Sequence, residues 1–425
     1  MILFGIMLLL FFLGFPIGLS LLLSTFIFIL TSGQIDNTLM LPTKMVNSLN
    51  SFPLMAIPFF MLAGELMNTA KITDWVFDFA KSIVGHIRGG LGHVNVMSSM
   101  LFAGMSGSAL ADASGLGQVE IKAMRDAGYP PGFSAAVTAA SACIGPIIPP
   151  SVGMVICGLV TEQSVGKLLL GGAIPGALMG LGLMLVVYII ARKRNYPRSP
   201  RPTILMILKS FKLAFFPLLT PFILIGGILT GVFTPTEAAV VTCIYAIILG
   251  LATRELNLKK IYDALITVGV RSGSIAIIIA GAQVLGNITV QEMIPQRVTA
   301  ALMAVTTNPM LLMFLLMGAF LFLGCFLSDL AMLMIMGPML MPSVIQIGID
   351  PTLFGVWMVL VLGLGMITPP YGVVMYVVNI WAGTSVAQFT RAILPFLFVL
   401  VVVSILIIFF PKIVTFLPDL VVPAY

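Results

Sequence analysis

Gly145-Pro146-Ile147-Ile148-Pro149-Pro150-Ser151-Val152-Gly153 lies inside an apolar segment, where two adjacent prolines interrupt any continuous helix. Pro149 and Pro150 each lack the N–H that a helix needs, and each restricts the residue before it. At membrane depth, broken backbone is tolerated only where it is buried in protein or lines a polar cavity. The interruption recurs: Gly365-Met366-Ile367-Thr368-Pro369-Pro370 repeats the pattern at a fixed offset (369 − 149 = 220). Interruptions at matching places in two halves of a chain point to a binding site between them.

The composition places this break in a bilayer. The chain has 425 residues, is 60% hydrophobic and 8% charged, against about 25% charged in a globular protein. Several apolar runs reach the roughly 20 residues that a spanning helix needs. Met1–Leu30 carries no charge; it is too long and too uniform for a signal peptide, with no basic start and no cleavage site. The net charge of +6 is a topology signal. Arg192, Lys193, Arg194, Arg198, Arg201, Lys209 and Lys212 follow one another with no acid between them, which marks a cytoplasmic loop. No basic patch is interleaved with aromatics, so no nucleic acid partner is expected. Cys143, Cys157, Cys243 and Cys325 sit in apolar segments without metal-ligand spacing and read as small buried hydrophobes. No zinc motif, Walker loop or dinucleotide fingerprint is present, which argues against ATP-driven pumping by this chain.

In chain order, a first span covers Ile2–Leu30, lightly broken at Gly14–Gly18. A loop, Thr31–Ser51, follows outside, and Phe52–Thr69 returns. Lys71–Arg88 reads as an amphipathic helix along the inner interface, with Ile72, Trp75, Val76, Phe79, Ile83 and Ile87 on one side. Gly92–Met105 is too short to cross and reads as one arm of a re-entrant hairpin with its tip at Ser106–Ser108. Broken span Phe133–Val160 comes next, then Leu168–Ala191, the basic loop, Ile204–Val232, and a span opened by Thr234-Pro235-Thr236-Glu237. A second interfacial helix is expected over 255–270, carried by Leu258, Ile261, Leu265 and Val268. Ser272–Val290 crosses, Gln291–Asn308 is an outside loop, and Pro309–Gly324 with Leu330–Ile345 forms a second hairpin. Phe354–Trp381 is the second broken span, and Ile393–Phe410 exits. The count is nine crossings and two hairpins, with the N-terminus cytoplasmic and the C-terminus periplasmic. Gly104 maps to Gly324, Ser108 to Ser328 (328 − 108 = 220) and Pro16 to Pro235 (235 − 16 = 219). One hairpin enters from each side, so the repeat is inverted, with Ile204–Val232 as the spare span. The fold class is therefore an all-α polytopic membrane protein of inverted repeats, with two re-entrant hairpins and two broken helices.

Helix N-termini at the tips and breaks offer unpaired N–H groups and partial positive charge to an anion. C-termini and unwound carbonyls offer oxygens to a monovalent cation. One sodium cage is expected from Ser106, Ser108, Gly145 and Ile148, and its mate from Gly324, Ser328, Gly365 and Thr368. The bland alternative for these eight is packing glycines and helix-bonded hydroxyls. Asp112 and Asp329 are carboxylates placed just after the tips, where charge marks an ion path or complements a helix N-terminus. The substrate is expected against Ser108, Asp112, Pro149, Pro150, Ser151, Asp329, Pro369 and Pro370. Moving an anion into a negative interior costs about 2.3 kcal/mol per charge per 100 mV. Two or more co-transported Na+ would reverse that cost for a monocarboxylate.

Gly104–Ala113, Gly145–Gly153, Gly231–Ala239 (Gly-Val-Phe-Thr-Pro-Thr-Glu-Ala-Ala) and Gly365–Gly372 resemble the large membrane subunit of tripartite ATP-independent periplasmic (TRAP) transporters, and the resemblance extends over essentially the whole chain. It implies sodium-coupled import of an organic acid, C4-dicarboxylate or sialic acid, across the bacterial inner membrane. It implies two partners: a small four-span membrane subunit and a soluble periplasmic substrate-binding protein. It also implies an elevator, in which a transport domain slides against a scaffold. The division is then 1–90 scaffold and arm helix, 91–167 first transport half, 168–271 scaffold, basic loop and second arm, 272–390 second transport half, and 391–425 a last scaffold span. The arms would be 71–88 and 255–270.

Two other classes compete. Gly104-Met105-Ser106-Gly107 matches the Gly-x-Ser-Gly of an intramembrane serine protease, which needs a histidine beside the serine. The chain has two, His86 and His93; thirteen residues of helix hold His93 (106 − 93 = 13) roughly 20 Å from Ser106. A passive channel is the other rival. Glu237 reads as a helix-start acid or subunit contact, and Arg297 as an outside charge or a docking contact.

Overall fold

The computed structural model describes residues 2–33, 36–70, 72–198 and 200–421. Lys71, counted on the polar side of the first interfacial helix, lies outside them. The first half of the chain gives α1 (Ile2–Phe12), α2 (Ile17–Thr31), α3 (Asp36–Leu49), a 3-10 turn at Phe52–Met55, α4 (Ala56–Thr69), α5 (Ile72–Val84), α6 (Gly90–Ser106), α7 (Ala109–Ser114), α8 (Leu116–Asp126), α9 (Pro131–Ala142), α10 (Val152–Thr161) and α11 (Val165–Arg194). The second half gives α12 (Ile204–Leu229), α13 (Pro235–Ala252), α14 (Leu258–Gln291), α15 (Ile294–Val305), α16 (Pro309–Gly324), α17 (Asp329–Gln346), α18 (Pro351–Gly365), α19 (Val373–Ala382), α20 (Val386–Phe409) and α21 (Lys412–Val421).

A shift of 220 residues lays α16 on α6, α17 on α7 and α8 together, α18 on α9, α19 on α10 and α20 on α11. Further upstream, α13 falls on α2, α14 on α3 with α4, and α15 on α5. Among the described residues seven helices are long and apolar enough to cross a membrane. Six are expected crossings: α4 with its 3-10 turn, α11, α12, α13, α14 and α20. The seventh is α17, an arm of the second hairpin. The other three expected crossings are assembled from shorter pieces.

Several expectations need correction. Residues 2–30 form two helices that pack against each other. Gly14, at φ +83°, turns the chain, and Phe15 N–H closes the turn on the Leu10 carbonyl at 3.1 Å. The loop 31–51 contains α3, which packs on α14. Residues 258–270 are not a separate interfacial helix but the first part of α14, 34 residues long, which Asn257 caps. No proline falls within it, whereas Pro53 marks the break in its counterpart. The outside loop 291–308 is mostly α15. Pro295 opens α15 and Thr299 pins it to α17 through Ser343, Oγ1 to Oγ at 2.6 Å. It meets α16 at 114°. Finally, α21 follows the last crossing and packs on α11.

Both halves share a packing plan. Each hairpin encloses the first half of its own broken span: α9 contacts α6 and α8, and α18 contacts α16 and α17. The second halves are exchanged. Helix α10 packs on α17 and α18, while α19 packs on α8 and α9. Cys143 at the end of α9 donates to the Gly363 carbonyl of α18 at 3.3 Å, joining the two breaks. The Arg125 guanidinium caps the Ala382 carbonyl, tying α8 to the end of α19. The interior is close-packed around Trp357, Phe354 and Phe320.

Candidate functional site

The first tip is made by Gly107, which ends α6 at φ +61°. A β-carbon there would sit 3.2 Å from Ser151 Cα, so the tip and the first break are in backbone contact. Ser108 is extended and caps α7, its Oγ accepting from Ala111 N–H at 3.5 Å. Ser328 does the same for α17, accepting from Ala331 N–H at 3.3 Å. The two hydroxyls thus hold equivalent places in the two repeats.

Each break is closed by short turns. Gly145 N–H bonds Ala142 O at 3.0 Å and Ile148 N–H bonds Ile144 O at 3.0 Å. Ser151 caps α10 by accepting from Met154 N–H at 3.0 Å and gives its own proton to the Pro146 carbonyl. Val152 N–H reaches across to Gly107 O at 3.3 Å. In the second break Thr368 N–H bonds Gly365 O at 3.1 Å and Val374 N–H bonds Met366 O at 3.1 Å. The Pro149–Pro150 and Pro369–Pro370 bonds are both cis.

The four pieces meet at one cavity of about 190 Å³. Gly107 and Ser108 of the first tip, Pro146, Val152 and Gly153 of the first break, Ser328, Asp329 and Leu330 of the second tip, and Met366 and Val373 of the second break all line it. Leu110 of α7, Met61 of α4 and Ile275 of α14 complete the wall. The lining begins four helices: α7 at Ser108, α10 at Val152, α17 at Asp329 and α19 at Val373. It holds one carboxylate, Asp329, and no lysine or arginine. Four dipole ends and one acid side by side suit an anion together with a cation.

The expected substrate residues divide. Ser108 and Asp329 line the cavity. Asp112 sits one turn behind, buried, its N–H on Ser108 O at 3.0 Å. Pro149, Pro150 and Ser151 are buried and do not line it, because the break turns their side chains into the protein. Pro369 faces Cys325, whose Sγ donates to its carbonyl at 3.6 Å. Pro370 accepts from the Tyr376 hydroxyl at 3.4 Å and is exposed. Met61 and Ile275 were not foreseen, since nothing in the sequence relates them to the breaks. Glu120, which no sequence pattern singles out, is buried in α8 with no hydrogen-bond partner for either oxygen.

Of the first expected cage, Gly145 lies against the Ser108 backbone, a β-carbon there meeting Ser108 O at 3.3 Å. Ser106 Oγ is buried and has no hydrogen-bond partner. Ile148 points its side chain at Gly176, leaving only its backbone for that role. Of the second, Gly324 and Gly365 touch directly, a β-carbon on Gly324 falling 3.0 Å from Gly365 Cα. Thr368 Oγ1 donates to Leu364 O at 2.7 Å, which leaves its lone pairs available. Behind the first tip, Ser99, Asn95, Thr138 and Ser141 form a buried hydroxyl–amide chain, with Asn95 Nδ2 to Thr138 Oγ1 at 2.6 Å and Ser141 Oγ to Asn95 Oδ1 at 2.8 Å.

His93 and Ser106 stand near opposite ends of α6, so the Gly-x-Ser-Gly match builds no catalytic pair. Glu237 closes a capping box with Thr234, Oε2 accepting from the Thr234 N–H at 2.8 Å. Arg297 lies on α15 and is exposed.

The family model described as "Tripartite ATP-independent periplasmic transporter, DctM component" matches residues 4–413. A sialic acid TRAP transporter permease protein, SiaT, of Haemophilus influenzae is 44% identical over 414 residues, 97% of this chain and 67% of that protein. The sialic acid TRAP transporter large permease protein SiaM of Vibrio cholerae is 44% identical over 410 residues, 96% of each. The C4-dicarboxylate TRAP transporter large permease protein DctM of Pseudomonas aeruginosa is 36% identical over 385 residues, 90% of each. These relatives are permeases, not enzymes. Among solved structures, the Alcanivorax borkumensis YdaH transporter shares the fold, with a TM-score of 0.63 at 15% identity, covering 89% of this chain and 88% of that one.

Proposed function

Because the chain belongs to the DctM family of tripartite ATP-independent periplasmic transporters, we propose that it is the large membrane subunit of a sodium-coupled importer of an organic acid in the bacterial inner membrane. Its partners are a small four-span membrane subunit and a periplasmic protein that delivers the acid. The carrying observation is the cavity shared by both repeats, where four helix N-termini meet one carboxylate and no base. An anionic substrate takes its stabilisation from the dipole ends, and co-transported Na+ offsets Asp329 and the membrane potential.

Sialic acid is favoured over a C4-dicarboxylate, since the relatives named for it are 44% identical and the one named for dicarboxylate 36%. A cavity of about 190 Å³ is small beside the roughly 300 Å³ at which ligand pockets begin, so a nine-carbon sugar acid requires the tips to part. Movement of the hairpins and broken helices against α4 and α14, an elevator, meets that requirement, because Met61 and Ile275 form the wall that the other elements slide past; this places all of α14, including 272–291, with the scaffold and not with the second transport half.

Reconstitution with the two partners tests the coupling. Sialic acid uptake should need an inward sodium gradient and should carry net positive charge inward; uptake that is indifferent to sodium removes the reading. Ser106→Ala should raise the sodium concentration for half-maximal uptake roughly tenfold, from the loss of one ligand hydrogen-bond equivalent. For the elevator, Met61→Cys with Leu330→Cys, in a chain freed of its own cysteines, should stop uptake when bridged by a cleavable cross-linker and recover on cleavage. Full transport by the bridged protein would overturn the sliding motion.

A further inference from the structure

The repeat builds two equivalent grooves, and among the described residues a helix fills one of them. In the second half, α18, α20 and the start of α11 form a groove that α21 occupies. Val414 packs there on Gly171, a β-carbon on Gly171 meeting Val414 Cγ1 at 3.0 Å. In the first half, α9, the start of α20 and the end of α11 form the counterpart. Pro131 matches Pro351 and Pro395 matches Pro175 at the same offset (351 − 131 = 220; 395 − 175 = 220). Here the residues at the same offset form no separate helix: Tyr196 packs on Phe133 with ring centroids 4.9 Å apart and the Pro197 carbonyl accepts from the Tyr129 hydroxyl at 3.0 Å, and no described helix takes the place of α21. An open cavity of about 820 Å³ remains instead. Where Gly171 receives Val414, the counterpart position holds Arg391 (391 − 171 = 220).

The lining has two characters. Lys193, Arg194 and Arg391 supply three positive charges, and no acid is among the lining residues. Phe133, Ile189 and Pro395 supply apolar walls. Those walls run on into side chains that face outward along α11 and α20: Leu185, Leu394 and Phe398 are each more than half exposed. The start of α9 adds first-turn N–H groups to the positive end. Free phosphate has no use for the apolar walls, and a hydrocarbon chain has none for the bases. The positive-inside rule puts this end at the cytoplasmic leaflet, where anionic lipids are held by basic pockets between helices.

We propose that this groove binds an anionic phospholipid, its phosphodiester between Lys193, Arg194 and Arg391 and an acyl chain along Ile189 and Pro395. The lipid takes, in the first half, the place that α21 takes in the second. The site does not depend on what the cavity between the tips carries.

The test is native mass spectrometry of the full-length chain in detergent, titrated with phosphatidylglycerol or phosphatidylcholine. The wild type should retain phosphatidylglycerol and not phosphatidylcholine. The triple variant Lys193→Gln, Arg194→Gln, Arg391→Gln should bind it roughly 100-fold more weakly, from three lost basic contacts to an anionic headgroup. Arg198→Gln with Arg201→Gln, bases of the same loop outside the groove, should bind as the wild type does. Ile189→Trp, which keeps every charge and fills the groove, should also weaken binding, so the outcome does not rest on one variant's folding. Undiminished binding by the triple variant, equal retention of the two lipids, or displacement by an equal concentration of inorganic phosphate would overturn the proposal. So would a photo-cross-linker at Ile189 that captures, in membranes, the small subunit or a second copy of this chain in place of lipid.

Discussion

Gly107 bears on the whole cavity although it has no side chain. Its φ of +61° suits glycine, and a β-carbon would also press on Pro150 and Ser151 of the first break. Gly107→Ala should therefore abolish uptake and lower the melting temperature. Gly128→Ala, at φ +83° with nothing within 4 Å, should cost only backbone strain, about 1–2 kcal/mol. Equal melting temperatures for the two variants would show that the tip has room. Glu120 gives a second contrast. A buried polar group left without a hydrogen-bond partner costs about 1–3 kcal/mol, and neither Glu120 oxygen has one, so Glu120→Met, apolar and of similar length, should raise the melting temperature of the purified protein. No change in melting would mean that this burial carries no penalty. Ser108 and Asp329 line the cavity and were legible because they sit at the matched hairpin tips, whereas Pro149, Pro150, Ser151, Pro369 and Pro370 lie at the breaks without lining it. Sequence marks where backbone is interrupted; it does not say which way the interrupted side chains turn.

At the scale of elements, the capping chemistry reads directly. Thr234 and Glu237 close a full box at the start of α13, so Thr234→Ala should destabilise the protein by about 0.5–2 kcal/mol in denaturant titrations. The Arg271–Glu65 ion pair links α14 to α4 at 2.9 Å, with side chains 51% and 22% exposed. Its contribution is therefore small, and Glu65→Gln should shift stability by less than about 1 kcal/mol. Helix starts, prolines and apolar runs made α6, α9, α13, α16, α17 and α18 readable, because those signals are local. The interfacial helix expected over 255–270 was misread because amphipathic spacing looks the same whether a helix stops or continues. α15 and α21 were missed because each is held by a partner far away in sequence, Ser343 for one and Gly171 for the other.

At the scale of the molecule, the exchange of α10 and α19 between repeats makes the halves interdependent. Each broken span completes itself on the other repeat's hairpin. Two polypeptides split in the basic loop should therefore copurify when expressed together, and neither should accumulate alone. Accumulation of a stable single half would show that the exchange is dispensable. The sequence by itself determined a polytopic helical protein, the inverted repeat, the two breaks and the two tips. Those follow from hydropathy, from the missing N–H of proline and from a constant offset, all of which act along the chain. Only the tertiary structure decided that the tips and breaks share one cavity, that Met61 and Ile275 wall it, and that one of two equivalent grooves is filled. Those depend on which surfaces meet across some two hundred residues, and burial of apolar surface, which drives them together, carries no direction that a local pattern could encode.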